Sequence, residues 1–111
     1  MINLPTAPEL RIVEGLAQAM FAKLRANRHK GGWWHCDFRY LLVRLRNETT
    51  ELARAWRVAH RTVRGYSHTM TEAECQAIVA ECADVGNFAA MIADKAREER
   101  ARVAPAERGA L

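Results

Sequence analysis

The chain has 111 residues, with 17 Lys and Arg against 13 Asp and Glu, a formal net charge of +4 at pH 7, and 50% hydrophobic residues. These ordinary globular values exclude disorder of the chain as a whole, and the length predicts one domain, residues 1–111. The longest strongly apolar run, residues 40–43, is far shorter than the roughly 20 residues of a membrane span, so we expect no membrane partner.

The apolar residues recur with helical spacing along nearly the whole chain. Spacings of three and four residues predict a first helix from about Pro8 to Ala26. Asp37 is a suitable N-cap for a second helix, which we expect to end at about His60 or Arg64. Residues 65–70 are expected to form a loop.

A third helix is predicted by a capping box, Thr71 followed by Glu74. It should continue to about Arg100, and residues 101–111 are expected to fray. No run alternates with period two, so the fold class is predicted to be all-α, with three long helices, or four if the third is broken. Its inward-facing residues are predicted to be Ala77, Ile78, Val85, Phe88 and Ile92.

Two pairs of acidic residues lie where apolar side chains are expected. On a helical wheel, Glu48 falls in the middle of the apolar stripe of the second helix, and Glu81 in that of the third. Glu51 and Asp84 follow three residues later, on the same faces. Buried carboxylates without partners are strongly destabilising, and four converging ones repel each other. Something positive must therefore hold them.

Two kinds of positive charge could do this. An arginine such as Arg44 or Arg46 could pair with one or more of the carboxylates. A set of oxygen ligands alone also favours Mg²⁺ or Mn²⁺ over zinc or copper. Di-iron bundles use Glu-x-x-His on two helices, whereas these pairs contain no histidine. Two separate interior pairs favour divalent cations.

Three segments carry a family resemblance. They are Glu48-x-x-Glu51, the segment KLRANRHKGGW at residues 23–33, and the segment ECADVGNFAAMIAD at residues 81–94, which contains Glu81-x-x-Asp84. Together they resemble the MazG-like nucleoside triphosphate pyrophosphohydrolases, in particular the small phage and bacterial members of this all-α NTP pyrophosphatase superfamily. The resemblance covers about residues 23–95. It departs from the family at Asn47, where a second adjacent glutamate is usual, and in the long gap between the acidic pairs.

The resemblance implies hydrolysis of a (deoxy)nucleoside triphosphate to the monophosphate and pyrophosphate, with a slight preference for a purine deoxynucleotide such as dGTP or dATP. It implies two or three Mg²⁺ ions, replaceable by Mn²⁺, on Glu48, Glu51, Glu81 and Asp84. Either Glu48 or Glu51 would act as the catalytic base. It also implies a four-helix-bundle-like core completed by homodimerisation, or a dimer of dimers, in the cytoplasm of a bacterium or a phage-infected host.

Five further residues are candidate substrate contacts. Lys23 and Lys30 could bind phosphate, and Asn27 shares a helix face with Lys23. Trp33 could stack on the base, and Asn87 could hydrogen-bond to sugar, base or phosphate. The ordinary alternatives are solvated lysines, a packing tryptophan and surface amides.

Two other functions compete with the enzyme. A helical nucleic-acid-binding module would leave the interior glutamates unexplained, and a catalytically inactive interaction protein would bind no Mg²⁺. Without the four acidic ligands, nine acidic residues face 17 basic ones. That surplus would attract an anionic triphosphate, and no nucleic-acid partner is expected. The residues that a nucleic-acid module would use are Arg44, Arg46, Arg57, Arg61 and Arg64.

Overall fold

Helices make up most of the protein. The computed structural model describes residues 7–28, 33–63 and 65–110. In chain order its helices are α1 (Pro8–Ala26), α2 (Phe38–Ala59) and α3 (Glu72–Ala110). The predicted all-α fold class is confirmed, and both ends of α1 lie where the sequence places them.

The start of α2 is fixed by the predicted cap. Asp37 Oδ1 accepts a hydrogen bond of 2.7 Å from the Tyr40 backbone N–H, which satisfies one of the free donors of the first helical turn. A short 3₁₀ turn, Trp33–His35, precedes this cap. α2 ends at Ala59, one residue before the earlier of the two predicted ends.

The connection from α2 to α3 differs from the prediction of a loop. It contains a hairpin of two short antiparallel strands, β1 (Thr62–Val63) and β2 (Tyr66–Ser67). Gly65 lies in the turn with φ of +81°, a conformation that favours glycine and suits a two-residue hairpin turn. Strands of two residues are too short to show alternation in the sequence.

The capping box at the start of α3 is confirmed. The Glu74 backbone N–H donates to Thr71 Oγ1 at 3.1 Å, and the Thr71 N–H donates to the Glu74 carboxylate at 3.0 Å. The predicted end near Arg100 is wrong, because α3 continues through residues 101–110. Alanine, arginine and glutamate, which favour helix, make up seven of residues 101–110, and the helix continues despite Pro105 and Gly109.

α3 is the central element and packs against both α1 and α2. The fully buried apolar side chains in the described ranges are Leu41, Ala59 and Ala83, and two polar residues, Glu48 and Asn87, are buried beside them. α1 has no buried residue. Ala77, predicted to face inward, is exposed, because periodicity identifies a helix face but not how far a neighbour covers it.

Few side chains of α3 are fully buried, although the helix is long and apolar. By length and composition alone, Glu72–Val103 could cross a membrane. A core helix of a water-soluble protein passes the same test, so this is weak support for a membrane span. Most large apolar side chains of α3 are half-buried, and those exposed among its described residues are Val79 and Val103.

Candidate metal centre

Three carboxylates converge between α2 and α3. Glu48 and Glu51 project from α2 and Glu81 from α3, and one carboxylate oxygen from each lies within 4.8 Å of the other two. We call these three residues the glutamate cluster. Glu48 is 5% exposed, Glu81 is half-buried and Glu51 is open to solvent. Residues 33 positions apart in sequence thus meet at the place that the two helical wheels indicate.

Two oxygens of this cluster have no partner. Glu48 Oε2 and Glu81 Oε2 are buried and accept no hydrogen bond from any described residue. A buried carboxylate oxygen without a donor is costly, so a native structure normally supplies one. These two atoms fit a bound cation.

The electrostatics of the cluster show an excess of negative charge. Burial raises the pKa of Glu48, and the neighbouring Glu51 and Asp84 carboxylates raise this pKa further, against the lowering effect of Arg44. Burial, with the charges of Glu51 and Asp84, likewise raises the pKa of Glu81, and Lys23 opposes it. The folded protein therefore disfavours ionisation of both interior glutamates, and a bound cation would reverse that preference.

The fourth predicted ligand, Asp84, lies beside the cluster but is not part of it. Its Oδ2 accepts a hydrogen bond of 2.8 Å from Lys23 Nζ on α1, and both side chains are about one-third exposed or less. Lys23, a candidate phosphate contact, is therefore ion-paired with a candidate metal ligand. Because these residues are 61 positions apart, sequence spacing gives no sign of the pairing.

An arginine does reach one interior glutamate, as the alternative to metal binding requires. Arg44 donates to Glu48 Oε1 at 2.9 Å, and its guanidinium lies 5.3 Å from the centre of the Phe88 ring. The four-residue spacing from Arg44 to Glu48 predicts such a pair. Arg46 is exposed and forms no ion pair with a carboxylate among the described residues. The arginine explanation thus accounts for one oxygen of Glu48 and leaves Glu81 Oε2 without a hydrogen-bond donor among the described residues.

A cavity of about 970 Å³ opens beside these carboxylates. Glu48 and Asp84 form its acidic side, and four cationic side chains line the same space: Lys23, Arg25, Arg28 and Arg44. Aromatic residues line much of the remainder, among them Phe21 and Tyr40, which no sequence motif marks as site residues. The aromatic lining residues are Phe21, Trp33, Tyr40 and Phe88.

The structure places four of the five candidate substrate contacts at this cavity. Trp33 Nε1 donates to Asp94 Oδ2 at 2.9 Å, which ties the 3₁₀ turn to α3. Asn87 donates from Nδ2 to the Met20 carbonyl at 3.2 Å, while its buried Oδ1 accepts no bond from a described residue. Asn27 donates to the Lys23 carbonyl at the end of α1. Lys30 lies outside the described residues.

The arginines of a nucleic-acid module are partly engaged elsewhere. Arg61 donates to Glu74 at 2.6 Å, and Arg44 is held by Glu48. Arg46 and Arg57 are exposed, and Arg64 lies outside the described residues.

Comparisons of the chain with known protein families, with curated proteins and with solved structures find no match.

Proposed function

We propose that this protein hydrolyses a (deoxy)nucleoside triphosphate to the monophosphate and pyrophosphate in a Mg²⁺-dependent reaction, as its resemblance to the MazG-like pyrophosphohydrolases implies. One observation carries the proposal. Glu48 and Glu81 each hold a buried oxygen that has no hydrogen-bond partner among the described residues. Glu48 also lines the cavity, where four cationic side chains lie. Such a site combines acceptors for a metal with donors for phosphate.

A hard divalent cation fits the donor set. Glu48, Glu51 and Glu81 offer carboxylate oxygens, the ligands that Mg²⁺ and Mn²⁺ prefer, and Asp84 is the natural ligand for a second ion. Bound Mg²⁺ would supply charge neutralisation for the triphosphate and Lewis acidity at the phosphorus that is attacked. Mn²⁺ should replace it because it accepts the same ligands.

The cavity suits a nucleotide in size and in chemistry. Its volume of about 970 Å³ lies at the upper end of the roughly 300–1,000 Å³ typical of small-molecule sites. Lys23 and Arg44 would bind phosphate oxygens, and Tyr40 and Phe88 would pack against the base. The unpaired Asn87 Oδ1 would accept a hydrogen bond from an amino or hydroxyl group of the substrate. Room for a larger base agrees with a purine deoxynucleotide such as dGTP or dATP.

Glu51 is the better placed of the two candidate bases. It is exposed to solvent, whereas Glu48 is buried and hydrogen-bonded by Arg44. In the proposed reaction a water oxygen bonds to the α-phosphorus, the bond from that phosphorus to the bridging oxygen breaks, and pyrophosphate leaves. Glu51 would take the proton of the attacking water, and Glu48 would serve as a ligand.

We also propose that the working form is a homodimer or a dimer of dimers. α1 has no buried residue, and its side chains Ile12, Val13 and Phe21 are each at least 60% exposed. A second copy that covers this surface would complete a helical bundle. Sedimentation equilibrium should give twice the chain mass or more, and Val13→Glu should shift it toward the monomer.

Pyrophosphate release tests the enzymatic proposal. The purified protein should release pyrophosphate from at least one common ribonucleoside or deoxyribonucleoside triphosphate with Mg²⁺ or Mn²⁺, and none in excess chelator. Glu48→Gln should abolish release, whereas Glu98→Gln, at an exposed position on α3, should leave it unchanged. A folded protein that releases none with either metal is not this enzyme. Calorimetric Mg²⁺ binding then separates an inactive relative, which would bind none.

A further inference from the structure

Lys23 divides the four acidic residues into two unequal groups. The glutamate cluster has oxygens close enough to share one ion, and the described part of the chain gives Glu81 no cationic hydrogen-bond donor. Asp84, in contrast, already has a cation, because Lys23 Nζ lies 2.8 Å from its Oδ2. The cluster is thus ready to receive a metal ion, and Asp84 is blocked.

Two cations of the cavity pair with its acidic residues, and they differ in how firmly they are held. Arg44 has two described contacts, the hydrogen bond to Glu48 and the face of the Phe88 ring, and its planar guanidinium suits both. The described polar contact of the Lys23 ammonium is the single bond to Asp84. Lys23 also lines both the large cavity and a second one of about 360 Å³ between α1 and α3. The flexible Lys23 side chain therefore has space to move into, whereas the two contacts of Arg44 hold its guanidinium in place.

We propose that Lys23 is an internal counter-ion that keeps Asp84 from binding metal until a second divalent cation and the triphosphate arrive together. This inference rests on the proposed metal-dependent function. A first ion binds to the glutamate cluster while Lys23 stays on Asp84. A second ion must displace the ammonium, which is then free to donate to a phosphate oxygen at the same cavity. Nucleotide and second cation should consequently strengthen each other's binding.

Mn²⁺ binding to the nucleotide-free protein tests this role without any activity assay. Calorimetry, with electron paramagnetic resonance to count free Mn²⁺, should find one ion on the wild-type chain. Lys23→Met should bind a second ion, with affinity at that site raised by about tenfold or more, since a positive charge beside it is gone. Lys23→Arg keeps the charge and should still bind one. Lys95→Met is the matched control, because Lys95 lies instead over the Phe38 ring.

Several results would overturn the proposal. They are a Lys23→Met chain that binds Mn²⁺ as the wild type does, or a nucleotide-free wild type that already binds two ions. If the folded wild type binds no Mn²⁺ at all, the proposed metal-dependent function fails first, and this inference fails with it.

If Lys23→Met does not fold, a second pair of variants tests whether Asp84 is separate from the glutamate cluster. Asp84→Asn should keep the first ion with affinity within about twofold of wild type, whereas Glu81→Gln should lose about tenfold or more. Loss of the first ion in Asp84→Asn would contradict the separation of Asp84 from the glutamate cluster.

Discussion

Replacing Glu81 by glutamine measures two effects separately: how far charge repulsion in the glutamate cluster destabilises the metal-free protein, and how far metal binding stabilises it. The substitution keeps the side chain's shape and removes one charge near two others. Two unit charges 4.8 Å apart repel by about 0.9 kcal/mol at the dielectric constant of water. Glu81 has two such neighbours, Glu48 and Glu51, the Asp84 charge adds to the repulsion, and Lys23 offsets part of it. In chelator, we therefore expect the free energy of unfolding of Glu81→Gln to exceed that of wild type by about 1 kcal/mol.

The order of stabilities should reverse when Mg²⁺ is added. Binding of a ligand at a hundred times its dissociation constant raises the free energy of unfolding by about 2.7 kcal/mol, and the variant should gain less because it lacks a ligand. Urea denaturation followed by far-ultraviolet circular dichroism, in chelator and in excess Mg²⁺, measures both values, with Glu98→Gln as the control. The reasoning is refuted if Glu81→Gln is less stable than wild type in chelator, or if Mg²⁺ stabilises both chains equally.

Three further predictions concern pH, the helix cap and packing. In chelator, Glu48 and Glu81 stabilise the fold fully below about pH 4.5, because the pKa of each is raised in the folded protein. This stabilisation is lost as pH rises through the folded-state pKa. The urea midpoint of Glu81→Gln should fall less steeply over that range than the wild-type midpoint. Hydrogen bonds from the Thr71 backbone, then from His68 and Arg61, lower the pKa of Glu74 to about 2, so Glu74 stabilises the fold above pH 4.5 and this stabilisation is lost as pH falls toward 2. Glu74→Gln should therefore reduce the fall in stability at acid pH. Thr71→Ala should lower the free energy of unfolding by about 1 kcal/mol in urea titrations at neutral pH. Gly86→Val should destabilise the fold by about 1–3 kcal/mol, because a Cβ at Gly86 would lie 2.7 Å from Met20 Sδ. Gly15 has open space around it, so Gly15→Ala should be neutral or stabilising by up to about 1 kcal/mol. Thermal or urea unfolding measures both variants.

Local signals in the sequence predict most of the helical framework. The Asp37 cap and the capping box at Thr71 involve residues three positions apart, so the pattern that forms them is visible in the chain. The same holds for the convergence of Glu48 and Glu81, because each interrupts an apolar stripe and the two stripes must face a common core. Periodicity is sufficient for these features since helix geometry alone determines which residues share a face.

Features that depend on distant partners could not be predicted in this way. The Lys23–Asp84 pair and the Trp33–Asp94 bond each join residues 61 positions apart, and no spacing rule connects them. The exposure of α1 depends on how far its neighbours extend over it, which apolar periodicity does not report. The continuation of α3 past Arg100 could not be predicted because it runs through Pro105 and Gly109, the residue types that usually end a helix.

The identity of the products tests the central claim most directly. A phosphorus-31 magnetic resonance time course should follow the purified protein with Mg²⁺ and a purine deoxynucleoside triphosphate, then with the other common nucleoside triphosphates. We predict equal amounts of nucleoside monophosphate and pyrophosphate, and no reaction in Glu48→Gln or in chelator. Release of inorganic phosphate with the diphosphate, or a spectrum of unchanged triphosphates from a folded, Mg²⁺-loaded protein, would contradict the account.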